Sequence, residues 1–236
     1  MMLFYLPDFN EHSQEIQFDK EESRHMSKVL RLKEGQQIQL TNGKGLIATV
    51  EIVRADPKHT EGRLISSQIQ PPPSPNLHIA IAPTKMNDRY EWFLEKATEI
   101  GINRITPIIC EHSERKILKM DRMQKIVISA MKQSLRANLP LLDVPIKLAD
   151  FLQELPKTDS RFIAHCSKGD KKPINEAFAQ GTSTLILIGP EGDFSENEIL
   201  NCEKQDFAPI SLGNQRLRTE TAGLVATMGY RLTNPS

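Results

Sequence analysis

Leu185-Ile186-Leu187-Ile188-Gly189-Pro190-Glu191-Gly192-Asp193-Phe194-Ser195-Glu196-Asn197-Glu198 decides the fold. The apolar run before Gly189 has the length and bounds of a fully buried strand. The glycine-bearing turn after it leads into Ser195 and Glu198, which are spaced as a capping box that opens a helix. Ile210-Ser211-Leu212-Gly213-Asn214-Gln215-Arg216-Leu217-Arg218-Thr219-Glu220-Thr221-Ala222 repeats the plan of strand, glycine loop and helix start. Thr219 is expected to cap the last helix, with Ala222, Val225, Met228 and Leu232 along one face. Glycines at strand ends let a ligand approach the backbone, so two such loops from one sheet can line one small-molecule pocket. Neither loop follows a phosphate-binding pattern: G-x-x-x-x-G-K-[ST] is absent, and no G-x-G-x-x-G follows a strand. Glu191 would also repel a pyrophosphate. A neutral base or a zwitterion suits these loops better, although two ordinary strand–helix turns would give the same spacing.

Further strands and helices alternate around these two. Ile79 to Pro83, Arg104 to Ile109 and Phe162 to His165 read as strands, and Asp88 to Ile100 and Met123 to Leu135 as helices. Tyr90, Phe93, Leu94 and Ala97 share one face of the first helix, and Gly101 is its C-terminal stop. Such alternation implies a parallel sheet covered on both faces. Upstream the pattern is mostly β. Gln37 to Leu40 and Leu46 to Val53 flank the turn Asn42-Gly43-Lys44-Gly45, which makes a hairpin. Glu22 to Leu32 reads as a short helix that stops near Gly35. Gln70-Pro71-Pro72-Pro73-Ser74-Pro75 is a stiff spacer. The expected organisation is a small β-barrel over residues 1–70, a linker at 71–75 and an α/β domain over 76–236.

Several ordered motifs resemble one family. The pair GPEG-D-F-S-x-x-E and LG-x-x-x-LR-x-ETA is similar to the C-terminal motifs of the 16S ribosomal RNA (uracil-1498-N3) methyltransferases. These belong to the SPOUT superfamily. Lys96-Ala97-Thr98-Glu99-Ile100-Gly101 resembles the family's K-A-T-E-L-G segment. Gln133-Ser134-x-Arg136 followed by Pro140 resembles its Q-S-x-R…P segment. His25-x-x-x-Val29-Leu30-Arg31 resembles the H-x-x-x-V-L-R of its N-terminal RNA-binding module. The chain departs from the family at Asp193, where a second glycine is usual, and at Arg216, where isoleucine is common.

The resemblance implies a SPOUT-type α/β domain with a C-terminal trefoil knot and a parallel sheet, preceded by a small PUA-like β-barrel. It implies methylation of N3 of one uridine in 16S ribosomal RNA, with S-adenosylmethionine as donor, no metal, and a homodimer formed through the knotted domain. It also implies a donor site built from Ile188, Gly189, Pro190, Glu191, Gly192, Ser211, Leu212, Gly213, Leu217, Thr221 and His165. A ribose 2′-O-methyltransferase of the same superfamily and a non-catalytic ribosome-binding protein are the rival expectations.

The chemistry narrows the catalytic candidates. N3 of uracil is protonated at neutral pH, so it needs a base, or donors that stabilise the developing anion. Arg218, Glu220 and Arg136 are the residues expected to serve. Glu220 reads first as a first-turn capping carboxylate and then as a base, Arg218 also as a phosphate contact or a partner of Glu220, and Arg136 also as a favourable C-terminal charge. His25, Arg31, Arg115, Lys116 and Arg136 are the RNA-contact candidates, each with packing or solvated roles as the alternative.

Composition agrees with this reading without requiring it. The 236 residues carry no net charge. Within residues 104–136, however, eight basic side chains face three acidic ones, and within 161–172 four face one. Local basic surface is what phosphate neutralisation needs. No apolar run approaches the ~20 residues of a membrane helix, and the first residues lack the charged and apolar regions of a signal peptide. Cys110, Cys166 and Cys202 form no zinc or disulfide pattern, which favours a reducing cytoplasm, with each thiol a small buried hydrophobe.

Overall fold

A computed structural model describes residues 2–235. The chain divides into two compact units, Met1–Pro72 with Met131–Leu139, and Pro73–Ala130 with Pro140–Ser236.

The first unit holds β1 (Leu3–Tyr5), β2 (Glu15–Gln17), α1 (Lys20–Arg24), β3 (Gln37–Thr41), β4 (Leu46–Arg54) and β5 (Glu61–Ile69). Its curled mixed sheet runs β1-β3-β4-β5-β2, parallel only between β1 and β3. The predicted hairpin is β3–β4. Its turn is closed by the Asn42 carboxamide oxygen, which accepts from the Lys44 and Leu46 amides at 2.8 and 3.2 Å. Alternation along the strands sends Ile38, Leu40, Ala48, Val50 and Ile52 inward against Phe4, Phe18 and Met26. The expected helix over 22–32 is shorter and less regular: after α1 the chain widens into a π turn over His25–Val29, and Arg31 takes a left-handed φ of 53°.

Residues 131–139, expected in the α/β domain, group with this first unit. The Thr41 hydroxyl donates to the Ala137 carbonyl at 3.0 Å, the Lys132 ammonium meets Glu22 at 2.6 Å, and Ala137 packs on Leu3 and Ile47. These partners lie about a hundred positions away in sequence, and no local pattern encodes them.

The second unit begins with β6 (Leu77–Ile81), α2 (Asn87–Ile100), β7 (Arg104–Ile109) and α3 (Met120–Gln133), whose last turn belongs to the first unit. It continues with β8 (Leu141–Leu142), β9 (Ile146–Lys147), α4 (Leu148–Phe151), β10 (Ser160–Ala164), β11 (Lys172–Pro173) and α5 (Ile174–Ala177). It ends with β12 (Thr184–Ile188), α6 (Glu196–Glu203), β13 (Ala208–Ser211) and α7 (Thr219–Thr233). The sheet order is β11-β13-β10-β12-β6-β7-β8, with β9 beside β7, and every pairing is parallel. The deciding run at 185–188 is the centre of this sheet and is buried on both faces, as a continuous apolar strand should be.

α2 buries Tyr90, Phe93, Leu94 and Ala97 and stops at Gly101, whose φ is 115°. α7 corrects an expectation. Its buried residues include Gly223, Ala226, Thr227 and Tyr230, whereas Met228 and Leu232 are exposed. Gly223 sets this face, because a Cβ there would lie 2.6 Å from the Phe93 ring and 2.8 Å from Ile81. Close approach of the helix, rather than bulk, buries that side. The apolar stripe read from the sequence is the outer one.

Candidate active site

The loops after β10, β12 and β13 meet the start of α7 around a cavity of about 800 Å³. It lies at the carboxyl ends of the parallel strands, where open α/β sheets hold ligands.

The loop over Gly189–Asp193 is the hub of this site. The Thr219 hydroxyl donates to the Gly189 carbonyl at 3.1 Å. The Lys85 amide, beyond β6, donates to Glu191 Oε1 at 2.9 Å. His112, beyond β7, directs Nδ1 at the Gly192 and Asp193 carbonyls, both at 3.1 Å. The Cys166 amide, beyond β10, donates to Asp193 Oδ2 at 2.7 Å. Ser195 and Glu198 form the predicted capping box, and Glu198 Oε1 also accepts from the Glu111 amide at 2.8 Å. Each glycine has its own reason. A Cβ on Gly189 would press on Phe194 at 3.0 Å, and one on Gly192 would meet His112 at 2.9 Å. Gly213 has open space around it but a φ of 125°, which side-chain-bearing residues rarely adopt.

Several buried polar atoms in the walls have no hydrogen-bond partner among the described residues. They are both ring nitrogens of His165 and Glu191 Oε2; Glu220 Oε2 is likewise unpartnered but lies outside the lining. Burial, with Lys171 nearby, holds the His165 imidazole below its usual pKa, so near neutral pH it is an uncharged ring with one donor and one acceptor. Glu220, 5% exposed in the first turn of α7, has Oε1 3.9 Å from Arg89 Nε. Unpartnered buried groups facing a cavity are what a polar ligand satisfies.

A family model described as "RNA methyltransferase domain" matches residues 71–229, and one described as "RNA methyltransferase PUA domain" matches residues 18–65.

The chain belongs to the RNA methyltransferase family.

Ribosomal RNA small subunit methyltransferase E of Buchnera aphidicola subsp. Acyrthosiphon pisum is 30% identical to it, over 89% of this chain and 85% of that one. A crystal structure described as a probable rRNA-methyltransferase from Porphyromonas gingivalis matches with a TM-score of 0.92 and 39% identity, over 99% of this chain and 98% of the other. Ribosomal RNA small subunit methyltransferase E from Neisseria gonorrhoeae, solved bound to S-adenosyl methionine, matches at 0.84 and 28%, over 98% and 97%. The second unit of this methyltransferase thus has the SPOUT-type α/β fold with its C-terminal trefoil knot, and the first is PUA-like.

Of the residues expected in the donor site of this methyltransferase, Ile188, Gly189, Pro190, Glu191, Ser211, Leu212, Gly213, Leu217 and His165 line the cavity. Gly192 and Thr221 do not: the first packs on His112, and the second follows Glu220 on α7. Arg218 lines the cavity as the N-cap of α7, one position ahead of the expected Thr219, whose hydroxyl is engaged by Gly189. Arg136 is not among the lining residues. It lies in the first unit, where burial pulls its pKa down.

Among the RNA candidates, His25 and Arg31 are exposed on the first unit and Lys116 on the second. The Arg115 guanidinium instead donates to the Thr84 and Lys85 carbonyls at 2.6–3.1 Å, and so holds the loop beyond β6. Cys166 is exposed and lines the cavity, contrary to its expected burial. Cys110 and Cys202 are buried, and burial raises both thiols, Cys202 to about 12.

Sequence reasoning missed Arg89, Lys171 and Asp193 as cavity residues. Arg89 carried a usable signal, since a basic residue in the first turn of a helix runs against the helix dipole.

Proposed function

We propose that this enzyme transfers a methyl group from S-adenosylmethionine to N3 of a uridine in 16S ribosomal RNA, the uracil at position 1498 of the family's substrate. The observation that carries the reading is the convergence of the β10, β12 and β13 loops on a cavity lined by Arg218 and by the half-buried Arg89, which lies 3.9 Å from the buried Glu220 carboxylate. The pocket fits the donor by its chemistry. Backbone groups of Ile188–Glu191 and Ser211–Gly213 suit a neutral adenine, and the unpartnered Glu191 oxygen and His165 ring suit polar, cationic groups. When bound, the donor supplies an electrophilic methyl on a sulfonium, which needs no metal.

The chain's own residues supply position and charge. Arg218 offers planar donors to the uracil carbonyl oxygens, which take up negative charge as N3 loses its proton. Glu220 either accepts that proton or fixes Arg89. N3 lies on the Watson–Crick edge, so the uridine enters unpaired. The first unit contributes RNA contacts through His25 and Arg31, and the second unit forms the catalytic domain. Exposed Met228 and Leu232 on α7 and Trp92 on α2 support a homodimer through the second unit. A ribosomal RNA substrate supports a cytoplasmic location.

Incubation with labelled donor and unmodified small ribosomal subunits, followed by mass spectrometry of the nucleosides, tests this. N3-methyluridine is the expected product. A 2′-O-methylated nucleoside would overturn the assignment of the target atom, and binding without transfer would overturn catalysis.

A further inference from the structure

Asp193 takes a left-handed φ of 64°, in a loop where glycine would fit without strain. For an L-residue this conformation costs about 1 kcal/mol, and aspartate tolerates it only where its short side chain finds local hydrogen bonds. Here it finds two. Oδ1 accepts from the Phe194 amide at 2.9 Å, within its own loop. Oδ2 accepts from the Cys166 amide at 2.7 Å, across the cavity wall, 27 positions away. The second bond is short and charge-assisted, the stronger kind.

What it holds is specific. Cys166 follows His165 at the carboxyl end of β10. The His165 carbonyl is tied separately, by the Lys171 ammonium at 2.6 Å. Between these two tethers sits the imidazole, with both nitrogens buried and neither hydrogen-bonded within the described chain. His112 Nδ1 separately meets the Asp193 carbonyl at 3.1 Å. The carboxylate therefore transmits the rigidity of the hub loop to the segment that carries His165.

We infer that Asp193 is a positioning residue for the methyl donor: its carboxylate straps the His165–Cys166 segment against the β12 loop and so presets the His165 wall of the cavity. The inference rests on the donor reading of that cavity. A wall ordered in advance loses less freedom on binding, so the strap acts on affinity more than on turnover.

Two variants separate the strap from simple charge. Asp193→Gly keeps the backbone conformation and removes the acceptor. Asp193→Asn keeps one carbonyl oxygen for the Cys166 amide, tolerates the same φ and removes the charge. In the full-length enzyme, calorimetry with S-adenosylmethionine should show Asp193→Gly binding about tenfold more weakly, the effect of losing one hydrogen bond of ordinary net strength. Turnover at saturating donor should change less than threefold, and Asp193→Asn should recover most of the affinity. Amide hydrogen exchange at Cys166, which needs no ligand, should quicken at least tenfold in Asp193→Gly alone. Unchanged exchange in Asp193→Gly would overturn the strap. Equal loss of affinity in both variants would overturn positioning in favour of direct charge contact with the ligand. If the unaltered enzyme fails to bind the donor while the exchange difference holds, the donor reading falls and the strap stands.

Discussion

The Thr219 hydroxyl and the Gly189 carbonyl lie 3.1 Å apart, and the bond between them joins the start of α7 to the loop after β12. The bond is buried, so removing the donor strands a carbonyl away from water. Thr219→Val, which keeps the side-chain shape, should lower stability by about 1–3 kcal/mol, the cost of one unsatisfied buried group. Thr219→Ser should cost less. Urea unfolding midpoints at constant m-value would measure both.

Gly213 gives a sharper test of backbone against bulk. No atom lies within 4 Å of where its Cβ would be, yet its φ is 125°. Gly213→Ala should therefore impair donor binding about as much as Gly213→Val, each by at least about tenfold, because strain of 1–3 kcal/mol arises with any side chain there. Calorimetry would show it. A large effect of valine with none of alanine would mean that the pocket was filled and the loop unstrained.

Arg218 is expected to act on the chemical step. Arg218→Lys should keep donor affinity and most RNA affinity while turnover falls about 100-fold, as on loss of one preorganised donor to a developing oxyanion. Single-turnover kinetics would separate this from a phosphate contact, in which RNA affinity and its salt dependence fall while the chemical rate stays normal.

Arg31 is exposed at a left-handed φ of 53°. Arg31→Asn removes its charge with a residue that accepts this conformation. If Arg31 meets a phosphate, RNA affinity should drop and the slope of log K against log salt should shrink by about 0.7–0.9, one released counterion. Binding titrations between low and moderate salt would show an unchanged slope if it does not.

His78 predicts how the fold responds to acid. Its ring is buried, Nε2 lies 2.7 Å from the Thr106 hydroxyl, and burial pushes its pKa down to about 3. The unfolded chain takes up a proton near pH 6.5 while the folded one does not. This contribution to stability is therefore complete above about pH 6.5 and is lost as pH falls towards 3, with a slope approaching ~1.4 kcal/mol per pH unit. His78→Gln should flatten the acid limb of a stability–pH curve while lowering its plateau.

The legible parts of this molecule were those written in short-range pattern. The run 185–188 reads as a central strand because a short apolar run closed by Gly189 and Pro190 suits a sheet covered on both faces, and it is one. The Ser195–Glu198 box and the Gly101 stop were readable because capping chemistry is local. The glycine loops announced the cavity. The α7 stripe was misread because the inner face is defined by a glycine's lack of bulk, which hydrophobic periodicity cannot register. Arg89 and Asp193 escaped because their importance lies in Glu220 and Cys166, each brought close only by the fold. The knot carries no periodic signature and enters through relatedness alone.

Residues 131–139 have a consequence for how the chain can be taken apart. The backbone passes between the two units three times, at 72–73, 130–131 and 139–140. A protease that nicks the exposed proline spacer severs only the first passage, and the two fragments stay joined by whatever grips the excursion: the Thr41–Ala137 and Lys132–Glu22 bonds and the packing of Ala137 on Leu3 and Ile47. The nicked protein should therefore elute as a single species from a sizing column and fall into two bands only in denaturant. The same threading makes the N-terminal unit a poor candidate for exchange between relatives by recombination at the linker, since a grafted unit would arrive without the nine residues that complete it.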